Sequence, residues 1–338
     1  MSAKDAGAAK RPKIFSLAAF FAAFTVVIVA AAASGGRRVV FSPKFIFGEN
    51  LRYQIDTRTT ATGKTTTPIA DPEGGSKVSQ AVNLVVLLNV LAAPQSAAQG
   101  DAAKTRFQAT YETSSAHFDT DIFDPNASTY EQQYARLEGR SLEFTLGPGG
   151  EMGDFEGPPD VLAASASPDS ALATLKALTF SAGLPRRGIS IGEKWTSEKA
   201  LAGLPLGGVT WHADSTYLRD EPCAVAPAGT ATAARGAETC AVILTRFEIS
   251  RQGGAHSDAT PDDYRAQGLR TSGTLSGSGD SLDLLAIGSG LLVSSTQTSI
   301  QDMDYQIASV SAHNSIHHVG HVQTETHINL LPSTASNP

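Results

Sequence analysis

Polar and apolar residues alternate along most of the chain with a period of two. In Phe45 to Thr60, Leu51, Tyr53 and Ile55 alternate with Arg52, Gln54 and Asp56, the pattern of a strand buried on one face only. Phe107, Ala109 and Tyr111 repeat it against Gln108, Thr110 and Glu112. Val78 to Leu91 is denser in valine and leucine and predicts a more fully buried strand. Further strands are expected over Ser141 to Leu146, Val209 to Arg219, Cys240 to Ser250, Leu269 to Ser276, Ser281 to Ile287, Leu291 to Ile300 and Val322 to Leu331. The links between them are short or rich in Gly, Pro, Ala and Asp, as a meander requires. A parallel α/β sheet would need helical crossovers, which the pattern does not supply.

Helical spacing occurs in one place in this part of the chain. Within Pro158 to Pro185, Leu172, Leu175 and Leu178 recur at three-residue intervals behind Pro168-Asp169-Ser170, and Gly183 with Pro185 closes the run. Asp or Ser can cap the free N–H groups of a first turn, and Gly followed by Pro ends a helix. A leucine stripe of this kind packs against a core.

Two phrases occur twice. Gly48-Glu49-Asn50-Leu51 returns as Gly192-Glu193-Lys194-Trp195, an offset of 144 residues (192 − 48). Leu142 to Met152, LEFTLGPGGEM, is echoed by Leu282 to Thr298, LDLLAIGSGLLVSSTQT, and their turn glycines Gly150 and Gly290 stand 140 apart (290 − 150). Offsets this close predict one β unit used twice. The expected fold is mostly β: two pseudo-repeated curved antiparallel sheets, open or half-barrel, joined by a helical segment. The units fall at 45–157 and 189–332, with the connector at 158–188 and a disordered tail at 333–338.

The amino terminus follows a different rule. Ile14 to Ala33 is an uncharged apolar run of about 20 residues behind Lys10, Arg11 and Lys13, long enough at 1.5 Å per residue to cross roughly 30 Å of hydrocarbon. It ends in Ala31-Ala32-Ala33-Ser34, small residues that a signal peptidase accepts. Residues 14–34 therefore read as a signal anchor or a cleaved signal peptide, with residues 1–13 a cytoplasmic basic segment. Both readings send the rest of the chain across the inner membrane to the periplasmic side.

Composition changes this picture little. Charged residues make up 17% of the chain and the formal net charge is -7. Because the first 34 residues carry +3, the remainder carries −10. An acidic body without a basic stripe argues against a nucleic-acid partner.

Candidate chemistry is sparse. Cys223 and Cys240 are the only cysteines and bracket a loop between two expected neighbouring strands, which in an exported protein predicts a disulfide. Closing a loop of that length restricts the unfolded chain by roughly 3 kcal/mol. His313, His317 and His321 form the one candidate metal set, with His318 and His327 close by. In a strand, however, neighbours four apart sit about 13 Å from each other, too far to share an ion with bonds near 2 Å. Apolar Ile316, Val322 and Ile328 at even positions favour that strand, and the odd histidines then form a solvated polar face. His117, Asp119, Asp121 and Asp124 lack the glycine and terminal glutamate of a calcium loop. Asn126-Ala127-Ser128 is a sequon, and Trp195 and Trp211 read as core residues. No Gly-x-Ser-x-Gly, phosphate-binding loop, dinucleotide glycine pattern or His-Glu-x-x-His occurs. No catalytic residue and no cofactor is assigned.

Phe47-Gly48-Glu49, the Leu142 to Met152 hairpin, Ile191-Gly192-Glu193-Lys194-Trp195 and the final glycine-turn hairpin resemble a family of uncharacterised bacterial envelope proteins of mostly β structure. More distantly, an exported curved antiparallel sheet with few helices is similar to the half-barrel lipoprotein carriers of the LolA and LppX kind. That resemblance implies a concave apolar face that holds acyl chains. The chain departs from it in having no lipobox cysteine after the apolar run. The leading expectation is a non-enzymatic envelope protein that binds an apolar, lipid-like ligand or a protein partner. Two alternatives stand beside it. One is an exported hydrolase with a dispersed active site that includes His212 or the carboxyl-terminal histidines; the other is a structural component of the envelope.

Overall fold

Alternation continues over long stretches, and the strands it produces are correspondingly long. The computed structural model describes residues 37–67, 75–92, 104–121, 127–147, 152–158, 175, 178, 184–185, 187–201, 203–223, 238–311 and 314–332. Eleven strands form β1 (Asn50–Thr66), β2 (Ser76–Ala92), β3 (Thr105–Thr120), β4 (Ser141–Leu146), β5 (Met152–Glu156), β6 (Lys194–Leu201), β7 (Val209–Pro222), β8 (Thr239–Arg251), β9 (Leu269–Ala286), β10 (Leu292–Ser309) and β11 (Ser315–Leu330). Two described helices, α1 (Ala127–Ala135) and α2 (Asp262–Ala266), pack on β3 and β9.

All strand pairs are antiparallel, and the sheet runs β5-β4-β3-β2-β1-β11-β10-β9-β8-β7-β6. Each half is a meander, as the short links predicted. Two separate sheets were expected, but the halves share one. β11, which follows the second meander, pairs with β1 from Tyr53↔Leu330 to Thr66↔His317 and so fuses them. No strand pairing joins the outer strands β5 and β6, and the sheet is open. Val39–Pro338 forms one compact unit.

β9 corrects a second expectation. Two strands were predicted on either side of Gly277-Ser278-Gly279-Asp280, yet β9 runs unbroken through them. Gly279 lies under the Phe247 ring, where a Cβ would come 2.4 Å from Phe247 Cζ. Here glycine marks a close approach between neighbouring strands, not a turn. α1 was not predicted either. Tyr130 and Tyr134 share its inner face at i, i+4, and Glu131 Oε1 accepts the Phe118 backbone N–H at 2.8 Å. The helix thereby covers part of β3 beyond the reach of the short β4.

Position i+2 periodicity sorts the side chains. Leu51, Tyr53 and Ile55 of β1, Val86 and Leu88 of β2, Phe107 and Tyr111 of β3, and Ile328 and Leu330 of β11 all lie buried on one inner face. They form the main core with Ile243, Leu285 and Leu292 from the second meander. Phe107 stacks on Phe144 at 5.3 Å between ring centroids. Leu175 and Leu178 are helical and buried in this core, while Leu172 and most of 158–188 lie outside the described residues.

One end of the sheet, called the lower end here, carries the starts of β1, β6, β8 and β10. A strap crosses its inner side. Val39 exchanges both backbone hydrogen bonds with Ile189, at 2.8 and 2.9 Å. Phe41 packs edge-on against Tyr217, the Lys44 N–H donates to Ser289 O, and Phe45 meets Phe107 edge-on at 4.7 Å. The disulfide Cys223–Cys240 also lies at this end, with 5.0 Å between Cα atoms.

The two Gly-Glu phrases fold into one turn twice. Gly48 and Gly192 have φ of 79° and 82°, the left-handed region that glycine enters without penalty. In the first turn Gly48 N–H donates to Val90 O, and Val90 N–H donates to Glu49 O. In the second, Gly192 N–H donates to Tyr217 O and Tyr217 N–H to Glu193 O. Each glutamate carboxylate then accepts the N–H three residues back, from Ile46 to Glu49 at 3.1 Å and from Ser190 to Glu193 at 3.2 Å.

Residues 1–36 lie outside the described residues, and with them the apolar run Ile14–Ala33. Among the described residues no helix is long and apolar enough to cross a membrane.

Candidate binding face

β1, β9, β10 and β11 extend well beyond the core and divide their side chains by charge. Inward positions on these strands include Thr57, Thr59 and Ala61 of β1, Thr326, Thr324 and Val322 of β11, Ser299, Gln301 and Met303 of β10, and Gly277 and Leu275 of β9. Asp283 is the one carboxylate among the inward positions of the four strands. There is no Lys or Arg among them. Outward positions carry Arg52, Asp56, Arg58, Lys64, Asp280, Asp302, Asp304 and Glu325.

Going up from the core, the inner face has three zones. The packed core comes first. A hydroxyl belt follows, in which the members bond to one another: Thr57 to Thr326 and Thr59 to Thr324 at 3.3 Å, and Ser215 to Thr245 at 2.9 Å. Paired hydroxyls satisfy each other and leave threonine methyl groups as surface, so the belt is only weakly polar. Above it on the β7–β10 side lies a second apolar cluster. Val209, Phe247, Ile249 and Leu275 are buried there, and Trp211, Met303 and Tyr305 are partly buried against them.

Asp283 sits at the boundary between core and belt. It is fully buried and accepts from Ser281 Oγ at 2.8 Å and Ser295 Oγ at 2.6 Å. Burial pushes its carboxyl up to about 6, against the pull of the Ser295 and Ser281 hydroxyls. Burial also raises the Tyr53 hydroxyl, with the Glu49 charge adding to it. Tyr53 therefore remains a neutral donor, to Leu292 O at 3.0 Å. At the top of the face the His318 ring lies 5.2 Å from Tyr305. Desolvation lowers the His318 pKa, and neighbouring His317 lowers it further.

The other sequence candidates fall elsewhere. His317 and His321 occupy the outer face of β11, each against its own carboxylate: Asp304 at 2.7 Å and Asp302 at 2.8 Å. His313 lies outside the described residues. Among the described residues no three His, Cys, Asp or Glu side chains are grouped to hold a metal ion. His212 is exposed on the outer face of β7, 4.0 Å from Asp214. His117 pairs with Glu131 of α1 at 3.2 Å, Asp121 caps the Lys77 N–H at 2.7 Å, and Asp124 is outside the described residues. Trp195 packs against the main core and Trp211 against the second cluster, where Lys199 Nζ lies 4.7 Å above its ring. Sequence reasoning missed the belt and Asp283. Their signal was an inward column of Ser and Thr where a core column of Leu and Val had been running.

Two open clefts lie near charged groups. One, of ≈ 490 Å³, is lined by Leu184, Pro185, Arg187, Lys194, Trp195 and Thr196. The other, of ≈ 480 Å³, lies at the opposite, upper end and includes Lys64, Lys77, Asp121, Asp302 and His321.

No family model and no curated protein matches the chain. A solved structure of lipovitellin, described as one of lipid–protein interactions, matches at 11% identity with a TM-score of 0.41. The match covers 87% of this chain and 27% of that one, so this chain spans about a quarter of the length of the protein it matches.

Proposed function

We propose that this protein is a non-enzymatic binding protein of the cell envelope, exported to the periplasmic side of the inner membrane, that holds an elongated, lipid-like ligand on its inner sheet face. One observation carries the reading: the inward side chains of β1, β9, β10 and β11 are almost free of charge, whereas the outward ones on the same strands are rich in it. A chain of CH2 groups gains about 0.8 kcal/mol per buried CH2 on such a face, and the hydroxyl belt tolerates an ester or carbonyl along it. The leader supports export, and so does the disulfide, a bond that persists in oxidising compartments. The twice-built Gly-Glu turn supports duplication of one β unit, with β11 added to join the copies.

Native mass spectrometry of protein purified without detergent extraction tests the reading, together with uptake of a fluorescent fatty acid. Val322→Lys puts a charge on the inner face and is expected to lower uptake at least tenfold. Gln323→Lys, one residue along on the outer face, leaves uptake unchanged. Equal behaviour of the two variants, or a wild-type protein that neither carries nor takes up a ligand, removes this reading.

A further inference from the structure

The lower end of the sheet exposes apolar residues where a soluble turn would place polar ones. Phe47 is 74% exposed and Ile191 55%, and each occupies the residue before glycine in its copy of the Gly-Glu turn. Ile46 and Val40 are 51% and 56% exposed. Four of the five most exposed large apolar side chains among the described residues thus lie in the strap and the two turns; Val310 is the fifth. Exposed apolar residues scattered singly need no account, but four of them in the turns and strap at one end of a sheet mark a contact surface. The turn itself requires only glycine and glutamate, so its geometry does not explain a bulky apolar residue at the tip twice.

The polar groups around these tips favour one occupant. Lys44, Arg187 and Lys194 lie in the same segments, with Lys44 Nζ donating to Gly288 O at 3.1 Å and Arg187 pairing with Glu193 at 2.8 Å. The carboxylates there turn to the protein itself. Glu49 is buried against the Ile46 N–H, Glu193 binds Ser190 N–H and Arg187, and Glu238 accepts the N–H groups of Gly288 and Ser289. Apolar tips with basic neighbours match an anionic lipid interface, in which side chains enter the acyl boundary and Lys and Arg meet phosphate. In the sequence, the apolar run Ile14–Ala33 ends six residues before Val39, the residue at which the chain joins this end of the sheet.

We propose that the lower end of the sheet is a membrane-docking rim, with Phe47, Ile46, Ile191 and Val40 inserting into the interface of an anionic bilayer. The rim would set the sheet on end at the bilayer. This goes beyond the ligand reading and does not depend on it.

The full chain is tested with single added cysteines, Phe47→Cys, Ile191→Cys and, at the upper end, Val310→Cys, labelled with an environment-sensitive fluorophore while the native disulfide stays intact. Because the leader alone would hold the chain on a vesicle, the readout is the environment of each label. With vesicles of phosphatidylglycerol and phosphatidylcholine, labels at 47 and 191 are expected to blue-shift and to be quenched by lipids carrying a nitroxide on the acyl chain. The label at 310 changes in neither respect. Replacing Ile46 and Ile191 together by Ser lowers quenching at 47 on the order of tenfold or more, and Lys194→Glu lowers it only in vesicles containing phosphatidylglycerol. Absence of quenching at 47 and 191, or equal quenching at 310, overturns the proposal. A shift that develops without vesicles as protein concentration rises also overturns it, in favour of an interface between copies of the chain.

Discussion

The inner and outer faces of the central strands are made by alternate residues of the same chain segments, and they differ in what holds them. On the inner face Tyr53, Val86, Phe107 and Ile328 are packed to near-zero exposure. On the outer face, polar and charged groups pair across the strands in water, as His321 does with Asp302 and Arg106 with Glu143 and Glu156. Backbone hydrogen bonding serves both faces equally. The comparison therefore teaches that stability follows side-chain burial, and that the outer face contributes solubility at little energetic cost.

The sharpest way to break that comparison is to hollow the inner face. Phe107→Ala removes a ring that stacks on Phe144 and meets Phe45, and is expected to cost about 3–5 kcal/mol in urea unfolding with the disulfide intact. A loss below about 1 kcal/mol would show that the inner face is not the core.

Asp283 tests the same contrast with a charge. Its folded carboxyl is raised from 3.8 to about 6, so between those values the native state holds a proton that the unfolded chain has released. The contribution of Asp283 to stability is then greatest below about pH 4, falls as pH rises to 6, and is level above that. Full ionisation in the buried site costs about 3 kcal/mol. Asp283→Asn removes this slope, and urea midpoints of the two proteins from pH 4 to pH 7 measure it. Parallel curves would mean that the carboxyl is solvated. The smallest effect belongs to the outer face: His321→Ala should change stability by less than about 1 kcal/mol, since even a fully ionic pair at such an exposed site is worth no more. A double-mutant cycle with Asp302→Ala isolates the pair, and a coupling well above that range would erase the distinction between the faces.

Legibility follows the range of the forces concerned. Leu51, Tyr53 and Ile55 announced β1 because alternation is local, and the even positions Ile316, Val322 and Ile328 gave the parity of β11, although the strand was expected only from Val322 and starts at Ser315. Gly277 and Gly279 misled because a glycine read locally signals a turn, whereas here the reason is close approach by neighbouring strands: Ile300 O and Gln301 of β10 at Gly277, and the Phe247 ring of β8 at Gly279. α1 was hidden because its apolar face is two tyrosines whose partner, Phe118, lies on β3. Of the candidate face, the sequence offered an inward Ser/Thr column but not its neighbours. The Thr59 to Thr324 bond spans 265 residues.

Periodicity, turn chemistry and cysteine placement alone determined that the chain is a mostly β meander with one disulfide and repeated Gly-Glu turns, since each depends on residues close in sequence. Only the tertiary structure decided that the two meanders share one sheet, that the long strands keep charge off their inner side, and that Phe47 and Ile191 stand at the same end. Those facts depend on β11 meeting β1, a pairing between the two ends of the sheet-forming chain. No local pattern encodes it, because any exposed strand edge offers the same row of N–H and C=O groups.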